Sequence, residues 1–324
     1  MSKKFLVTGG CGFIGAWVLR ALCEQEVPAV ALDVVPPGER CQRILGGHLR
    51  AICWEQGDLL DLDRLRKMLA EHRITHLIHL AALLTPACHD DPVAGCRVNV
   101  LGSVTLMEAI RRSSQPIEGF SYASSFAVYG PEEFGSESAA ETVNPNRPPS
   151  FYGAFKLAVD LIAEQYWRQF GLSSLGIRPH VVYGPERDQG LSAAPSLAIR
   201  AAAAGLPYTI NFRGRLGYDY VEDVARAFVR AALQTPRGAN VVDLNGEQAS
   251  SEEFARAIER LLPGPSGKIG ASVKIAVDGP EIPSNIPPQP RYIQTIFPDW
   301  LPTSLEDGIR RTGEYYRSAT SHAK

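Results

Sequence analysis

The sequence has no excess of charge of either sign. Its 324 residues carry 33 Lys and Arg against 35 Asp and Glu, a formal net charge of −2. That balance offers no electrostatic attraction to nucleic acid or to an anionic membrane surface. Cysteine is sparse: six residues, at 11, 23, 41, 53, 88 and 96, none in a C-x-x-C pair. A disulfide framework is not expected, and the thiols read as reduced structural residues of a cytoplasmic protein. The seven histidines show no metal spacing, so no metal site is expected. His76 and His79 flank an expected strand and read as structural. No apolar run is long enough to span a bilayer, and the residues ahead of the first glycine cluster are too few to read as a signal peptide. No internal repeat is visible. What remains, 45% hydrophobic and 21% charged, is the composition of a soluble globular chain with one large or two small domains.

The strongest local pattern lies at the start. Lys4-Phe5-Leu6-Val7-Thr8 is an apolar strand-type run that breaks into Gly9-Gly10-Cys11-Gly12-Phe13-Ile14-Gly15. A helical pattern follows, with Phe13, Ile14, Trp17, Val18, Ala21 and Leu22 at three- and four-residue steps. A second apolar run, Ala29-Val30-Ala31-Leu32, ends in Asp33. Each part has a role in binding a dinucleotide. Gly9 permits a tight turn, Gly12 lets the backbone approach a pyrophosphate at the helix N-terminus, and Gly15 lets helix and strand pack closely. Asp33 is placed to accept hydrogen bonds from an adenosine ribose, which favours NAD over NADP; Arg40 and Arg43 are near in sequence and work against that preference.

Strands and helices then alternate. A third strand is expected at 51–54, a helix at 61–72, a fourth strand at 75–80 and a long helix at 91–113 carrying Asn99. A fifth strand at 117–123 runs into Ser124-Ser125-Phe126-Ala127-Val128-Tyr129-Gly130, and 131–150 reads as a loop. A helix at 151–171 and a strand at 173–178, ending in Arg178-Pro179-His180, complete the rhythm. The alternation predicts an α/β fold: a Rossmann-type doubly wound parallel sheet over 1–180, with ligand at the carboxyl ends of its strands. The remainder, 181–324, reads as a smaller α/β substrate lobe, some segments of which can return to the first domain. Its expected elements are helices at 193–204, 221–234, 251–262 and 304–317 and strands at 208–212 and 239–243, with Ser304 as an N-cap.

Tyr152 and Lys156 are four apart at a helix start and share a face. A phenol, with a reference pKa of about 10, is a poor base at neutral pH, and a nearby ammonium stabilises the phenolate. Tyr152 can then take a proton from a substrate hydroxyl as hydride leaves the same carbon for a nicotinamide. Ser125, at the preceding strand end, can orient the same oxygen, and Lys156 can hold the nicotinamide ribose. An isolated Y-x-x-x-K is more often an ordinary amphipathic helix; behind a complete dinucleotide fingerprint the chemical reading is the better one.

The motifs T-G-G-x-G-F-I-G, G-D-L, H-L-A-A, V-N-V-L-G, S-S-x-A-V-Y-G, Y-x-x-x-K, R-P-x-x-V-Y-G-P and Y-V-E-D-V-A-R-A occur in this order, with Trp300, Pro302 and Ser304-Leu305-Glu306 at the tail. In these the chain resembles the extended short-chain dehydrogenases/reductases, the NAD-dependent epimerase/dehydratase family. The resemblance implies that Ser125, Tyr152 and Lys156 are catalytic. It implies an NAD site formed by Gly9, Gly12, Phe13, Ile14, Gly15, Asp33, Asp58, Leu59, Leu80, Ala81, Ala82, Asn99, Ala123, Tyr152, Lys156, Pro179 and His180. It also implies substrate contacts from Leu84, Ser125, Phe126, His180, Val181, Arg213 and Arg215, and a homodimer formed through the helices at 91–113 and 151–171.

The departures from the family pattern bear on substrate. Related 4,6-dehydratases carry Asp-Glu after the serine or threonine, where this chain has Phe126-Ala127, which argues against dehydration. Nucleotide-sugar members carry R-P-x-N, where this chain has Val181, and an Arg-Asp pair before Y-V-x-D-V, where it has Leu216-Gly217. A one-residue slip would bring Arg215 into that register. The expected activity is therefore NAD-dependent oxidation or reduction of a secondary alcohol on a sugar, sugar acid or similar small polyol. A nucleotide-sugar 4-epimerase is the alternative. A catalytically silent NAD-sensing protein is a third reading, which the intact Ser125, Tyr152 and Lys156 oppose.

Overall fold

The run Phe5–Thr8 is buried along its whole length, as the continuous apolar character of a central parallel strand requires. The computed structural model describes residues 3–131, 143–144, 147–190, 192–262, 273–282, 287 and 289–321. In chain order its elements begin with β1 (Phe5–Thr8), α1 (Phe13–Glu24), β2 (Ala29–Asp33), α2 (Glu39–Leu45), β3 (Cys53–Gln56), α3 (Leu62–Glu71) and β4 (His76–His79). There follow α4 (Thr85–Asp90), α5 (Pro92–Cys96), a π turn at Arg97–Leu101, α6 (Gly102–Arg111) and β5 (Gly119–Ala123). A two-residue ladder, β6 (Gly130–Pro131) with β7 (Val143–Asn144), precedes α7 (Phe151–Phe170), β8 (Ser174–Arg178) and β9 (Val181–Tyr183). The chain closes with α8 (Ala194–Ala203), β10 (Tyr208–Ile210), β11 (Arg215–Tyr220), α9 (Val221–Leu233), β12 (Ala239–Asp243), β13 (Glu247–Ser250), α10 (Ser251–Leu261), β14 (Ile275–Val277) and α11 (Leu305–Ser321).

Two compact units divide the chain. The first comprises Met1–Pro179, Val224–Leu244 and Asn285–Pro298. Its sheet has seven parallel strands in the order β12-β8-β5-β4-β1-β2-β3. This is the doubly wound Rossmann arrangement, with the strand order reversing between β1 and β4. Leu6, Val30, Leu77, Phe120 and Tyr122 pack from the sheet onto Leu65, Met68, Leu106, Met107, Ile110 and Val159 of the helices. The strand at 239–243, read from sequence as part of the second lobe, is the sheet's edge: Val242 pairs with Ile177 and is fully enclosed. The apolar face of α9 returns the chain to that position, which local sequence does not announce.

The helix expected at 91–113 is continuous over Pro92–Arg111, with the π turn in its middle. At 20 residues it is long and apolar enough, by length and composition, to cross a membrane. This corrects the expectation drawn from uninterrupted apolar runs, since Arg97 breaks the run without ending the helix. Its Leu106, Met107, Ala109 and Ile110 lie in the core beneath the sheet. Of the expected loop 131–150, positions 132–142 and 145–146 lie outside the described residues.

The second unit comprises His180–Asp223, Asn245–Ser284 and Asp299–Lys324. It holds a three-stranded sheet, β13-β11-β9, and a two-stranded one, β10-β14. Strands β9, β11, β13 and β14 are absent from the sequence reading because each is short or carries a glycine. The core is aromatic: Phe254 stands 5.5 Å from Tyr183 and 4.6 Å from Tyr218, ring to ring. Helix α10 opens with a reciprocal capping box between Ser250 and Glu253, and Ser304 Oγ accepts from Asp307 N at 3.2 Å at the head of α11.

Candidate active site

The turn between β1 and α1 explains its glycines atom by atom. Gly9 has φ +71°, and a Cβ there would lie 2.7 Å from Ala81 N. A Cβ on Gly15 would lie 2.0 Å from Gly9 O, so Gly15 lets the helix sit on the turn itself rather than on a strand. Gly12 is the N-cap of α1 and offers no side-chain cap. The positive end of the helix dipole, with no side chain capping it, suits an anion. Asp33 fixes the neighbouring backbone: its carboxylate accepts from Cys11 N at 2.9 Å and Val35 N at 3.4 Å. Asp58 Oδ1 accepts from Leu60 N at 3.0 Å, and Leu59 is buried beside Gly102.

After β4 the chain is pinned. Leu80 N donates to Thr8 O at 3.1 Å. Buried Asn99, in the π turn, accepts from Leu83 N at 2.8 Å and donates to Leu83 O at 2.9 Å. Asn99 thus shapes the segment Leu80-Ala81-Ala82 through Leu83. His79 bridges Thr8 Oγ1 at 2.7 Å and Ser103 Oγ at 2.9 Å. Burial, with the Lys156 charge second, pushes its imidazole down to about 3, so it stays neutral at physiological pH. Leu84, at the head of α4, is exposed.

The end of β5 and the start of α7 are held together at three points. Lys156 Nζ donates to Ala123 O at 2.7 Å. Ser124 Oγ donates to Asp160 Oδ2 at 2.9 Å. Gly153 packs so closely on Ala127 that a Cβ would lie 2.0 Å from Ala127 O. These contacts hold the strand end that carries Ser125 against α7, whose second and sixth residues are Tyr152 and Lys156. Ser125 Oγ accepts from Ala127 N at 3.1 Å, leaving its proton for another oxygen. The Lys156 ammonium stands 5.6 Å from the centre of the Tyr152 ring. Burial pushes Lys156 down to about 8, and Asp160, one turn on, and then Cys88 oppose that shift. Phe126 is buried against Tyr129, 5.2 Å between ring centres, so this position carries packing rather than acid–base chemistry.

Sequence reasoning missed the charge system beneath the site. Asp160 accepts from Tyr122 OH at 3.1 Å and from Arg178 Nη2 at 2.7 Å. Arg178 Nη1 donates to Tyr129 OH at 2.8 Å, and Tyr129 OH donates to Asp243 at 3.0 Å. Two carboxylates thus face one guanidinium, and burial pushes Asp243 up to about 6 against the pull of Arg178. The available signal was Asp160 four residues after Lys156; Asp243 could not be found locally.

The remaining substrate candidates lie in the second unit. His180 N donates to Asp219 Oδ2 at 2.7 Å. The His180 ring lies against Gly217, where a Cβ would come within 2.5 Å of Nδ1. Strand pairing places Tyr218 opposite Val181 and Leu216 opposite Ala249, which fixes the register. Arg215 pairs with Glu253 at 2.9 Å and Arg213 with Asp278 at 3.3 Å, all exposed.

The fold and this site define a dinucleotide-dependent enzyme with a serine, a tyrosine and a lysine grouped at the carboxyl end of a parallel sheet. The NAD dependent epimerase/dehydratase family model matches residues 5–245, and the chain belongs to that family of the extended short-chain dehydrogenases/reductases. A UDP-glucose 4-epimerase of Mycolicibacterium smegmatis is 30% identical over 97% of this chain and 99% of its own. The UDP-glucose 4-epimerase of Thermus thermophilus, solved in complex with NAD, is 26% identical at a TM-score of 0.75, covering 98% of this chain and 99% of its own. The Bacillus cereus UDP-glucuronic acid 4-epimerase, solved with UDP-glucuronic acid and NAD, is 26% identical at a TM-score of 0.74 with the same coverage. The cofactor is NAD.

Proposed function

We propose that the protein is an NAD-dependent dehydrogenase acting on a secondary alcohol of a small sugar or sugar acid. The uncapped start of α1, the Gly9–Gly15 turn and Asp33 fit a dinucleotide, with Asn99 shaping the wall beside it. NAD bound there supplies the hydride acceptor. Tyr152 takes the hydroxyl proton, Ser125 donates to the same oxygen, and the Lys156 ammonium stabilises the phenolate.

The observation that carries the choice of a small substrate is the pair of aliphatic side chains, Val181 and Leu216, at the positions where nucleotide-sugar enzymes present an asparagine and an arginine. The His180 ring occupies the space of a residue-217 side chain, so the aspartate of the Arg-Asp pair has no room at Gly217 without moving the imidazole, while Leu216, on the other face of the strand, supplies no guanidinium in place of the arginine. Val181 supplies no amide in place of their asparagine. A diphosphate beside aliphatic side chains forfeits charge-assisted hydrogen bonds and is still desolvated. The ion pairs of Arg213 and Arg215 are exposed and worth only about 0–1 kcal/mol each, so they add little to this reasoning.

A second reading is supported by the relatives, several of which are UDP-sugar 4-epimerases. Calorimetric titration of the NAD-loaded protein with uridine diphosphate separates the two. Weak or absent binding, together with NAD reduction by an aldose or sugar acid, is expected; micromolar binding overturns the small-substrate reading. We also propose a homodimer. Exposed Val93 and Leu101 on the Pro92–Arg111 helix, and Leu161 on α7, offer apolar side chains for a second copy. Sedimentation of wild type beside Leu161→Glu tests this, with a single monomeric species for wild type as the contrary result.

A further inference from the structure

Outside the catalytic region, one group of sulfur, nitrogen and carboxylate donors converges among the described residues. Cys53, Glu55 and His72 each bring a ligand atom to within 4.8 Å of the others. Cys53 and Glu55 are two apart on β3, which has β2 as its one sheet neighbour and so forms the sheet edge. A two-residue step puts both side chains on one face. Trp54, between them, donates its indole N–H to Leu49 O at 3.2 Å and so anchors the strand. His72 is the C-cap residue of α3, whose Leu65, Met68 and Leu69 are locked in the core. The three donors therefore sit on fixed backbone rather than on a loop.

We propose that Cys53, Glu55 and His72 form a binding site for a thiophilic divalent cation of the zinc class. A thiolate and an imidazole beside one carboxylate suit zinc or cobalt far better than magnesium or calcium, which take oxygen sets. Bonds of about 2.0–2.3 Å to one ion place tetrahedral ligand atoms roughly 3.3–3.8 Å apart. His72 Nε2 and Glu55 Oε1 are 3.0 Å apart in a hydrogen bond whose proton the ion would replace, and rotation about the Cys53 side chain supplies the third contact. Arg64 reaches the other oxygen, Glu55 Oε2, at 3.5 Å. That contact leaves Oε1 toward the metal and holds the carboxylate in place, as outer partners of metal ligands do. Cys53 is a free, exposed thiol, so an ion reaches it from solvent. Binding replaces its S–H bond with a sulfur–metal bond and displaces the proton between His72 Nε2 and Glu55 Oε1; the thiol proton goes to buffer, and the imidazole, bound through Nε2, keeps at most one proton, on Nδ1, with no change of oxidation state. Three protein ligands leave a fourth position for water, and the ion ties edge strand β3 to the end of α3.

The sequence spacing, 53-x-55 and then 72, matches no zinc motif, and only the packing of α3 beside β3 assembles the set. The test is titration of the NAD-loaded full chain with cobalt(II) chloride, followed by electronic absorption and thermal unfolding. The expected result is one equivalent bound, a sulfur-to-cobalt charge-transfer band, tetrahedral d–d bands and a raised unfolding midpoint. Cys53→Ser should abolish the charge-transfer band, and His72→Gln should weaken binding at least tenfold while keeping native circular dichroism. Failure to bind cobalt overturns the proposal, and so does a thiolate band that survives Cys53→Ser, which would place the ion at another cysteine.

Discussion

Lys156→Met should make the protein more stable at neutral pH while destroying its catalysis. The Lys156 ammonium is buried and is held at about 8 rather than its ordinary 10.5, by burial against the opposing pull of Asp160 and Cys88. At about 1.4 kcal/mol per pH unit, that gap is roughly 3.4 kcal/mol of charging cost carried by the native state below pH 8. Methionine matches the reach of lysine without the charge. It leaves Ala123 O without the donor now 2.7 Å away, a loss of about 1–2 kcal/mol. The variant should therefore be about 2 kcal/mol more stable at pH 7. The sign changes with pH. Between about 8 and 10.5 the unfolded chain holds the Lys156 proton and the native state does not, so wild-type stability rises through this window. By pH 10 less than about 1 kcal/mol of the cost remains, and the variant should be equal to wild type or slightly weaker. Urea unfolding of both cofactor-free proteins at pH 7 and pH 10 reads this directly. A variant less stable at pH 7, or a difference that is the same at both pH values, refutes the reasoning.

Two further substitutions probe the reaction and the cofactor. Tyr152→Phe should keep NAD affinity and lose roughly 10²–10⁴-fold in turnover, read by steady-state NAD reduction; Ser125→Ala should be milder, because a water can replace a hydroxyl donor. Near wild-type turnover in Tyr152→Phe would assign the proton to another group. Asp33→Ala should weaken NAD and narrow the preference over NADP, since Asp33 ends β2 where the resemblance expects the ribose partner and its carboxylate holds Cys11 N. Dissociation constants for the two cofactors on both proteins check it, and an unchanged ratio would remove Asp33 from cofactor selection.

The sequence by itself determined the large unit's class and its chemistry. Both rest on short-range patterns: a strand, a glycine turn and a helix in immediate succession, and a tyrosine and lysine one helical turn apart. Backbone sterics and helical periodicity act locally, so such features are legible one segment at a time. Tertiary structure alone decided the rest. Strand β12 joins the first sheet because α9 brings it there, and Val242 pairs with Ile177 although β9, α8, β10 and β11 intervene in the chain. Asp243 meets Tyr129 across 114 positions of sequence, and a buried carboxylate–guanidinium system then sets the charge beneath Lys156. His180 fills the space at Gly217 because two strands pair in one register and not the next. These contacts are long-range, and a one-residue slip in pairing would turn every side chain on the strand to the other face.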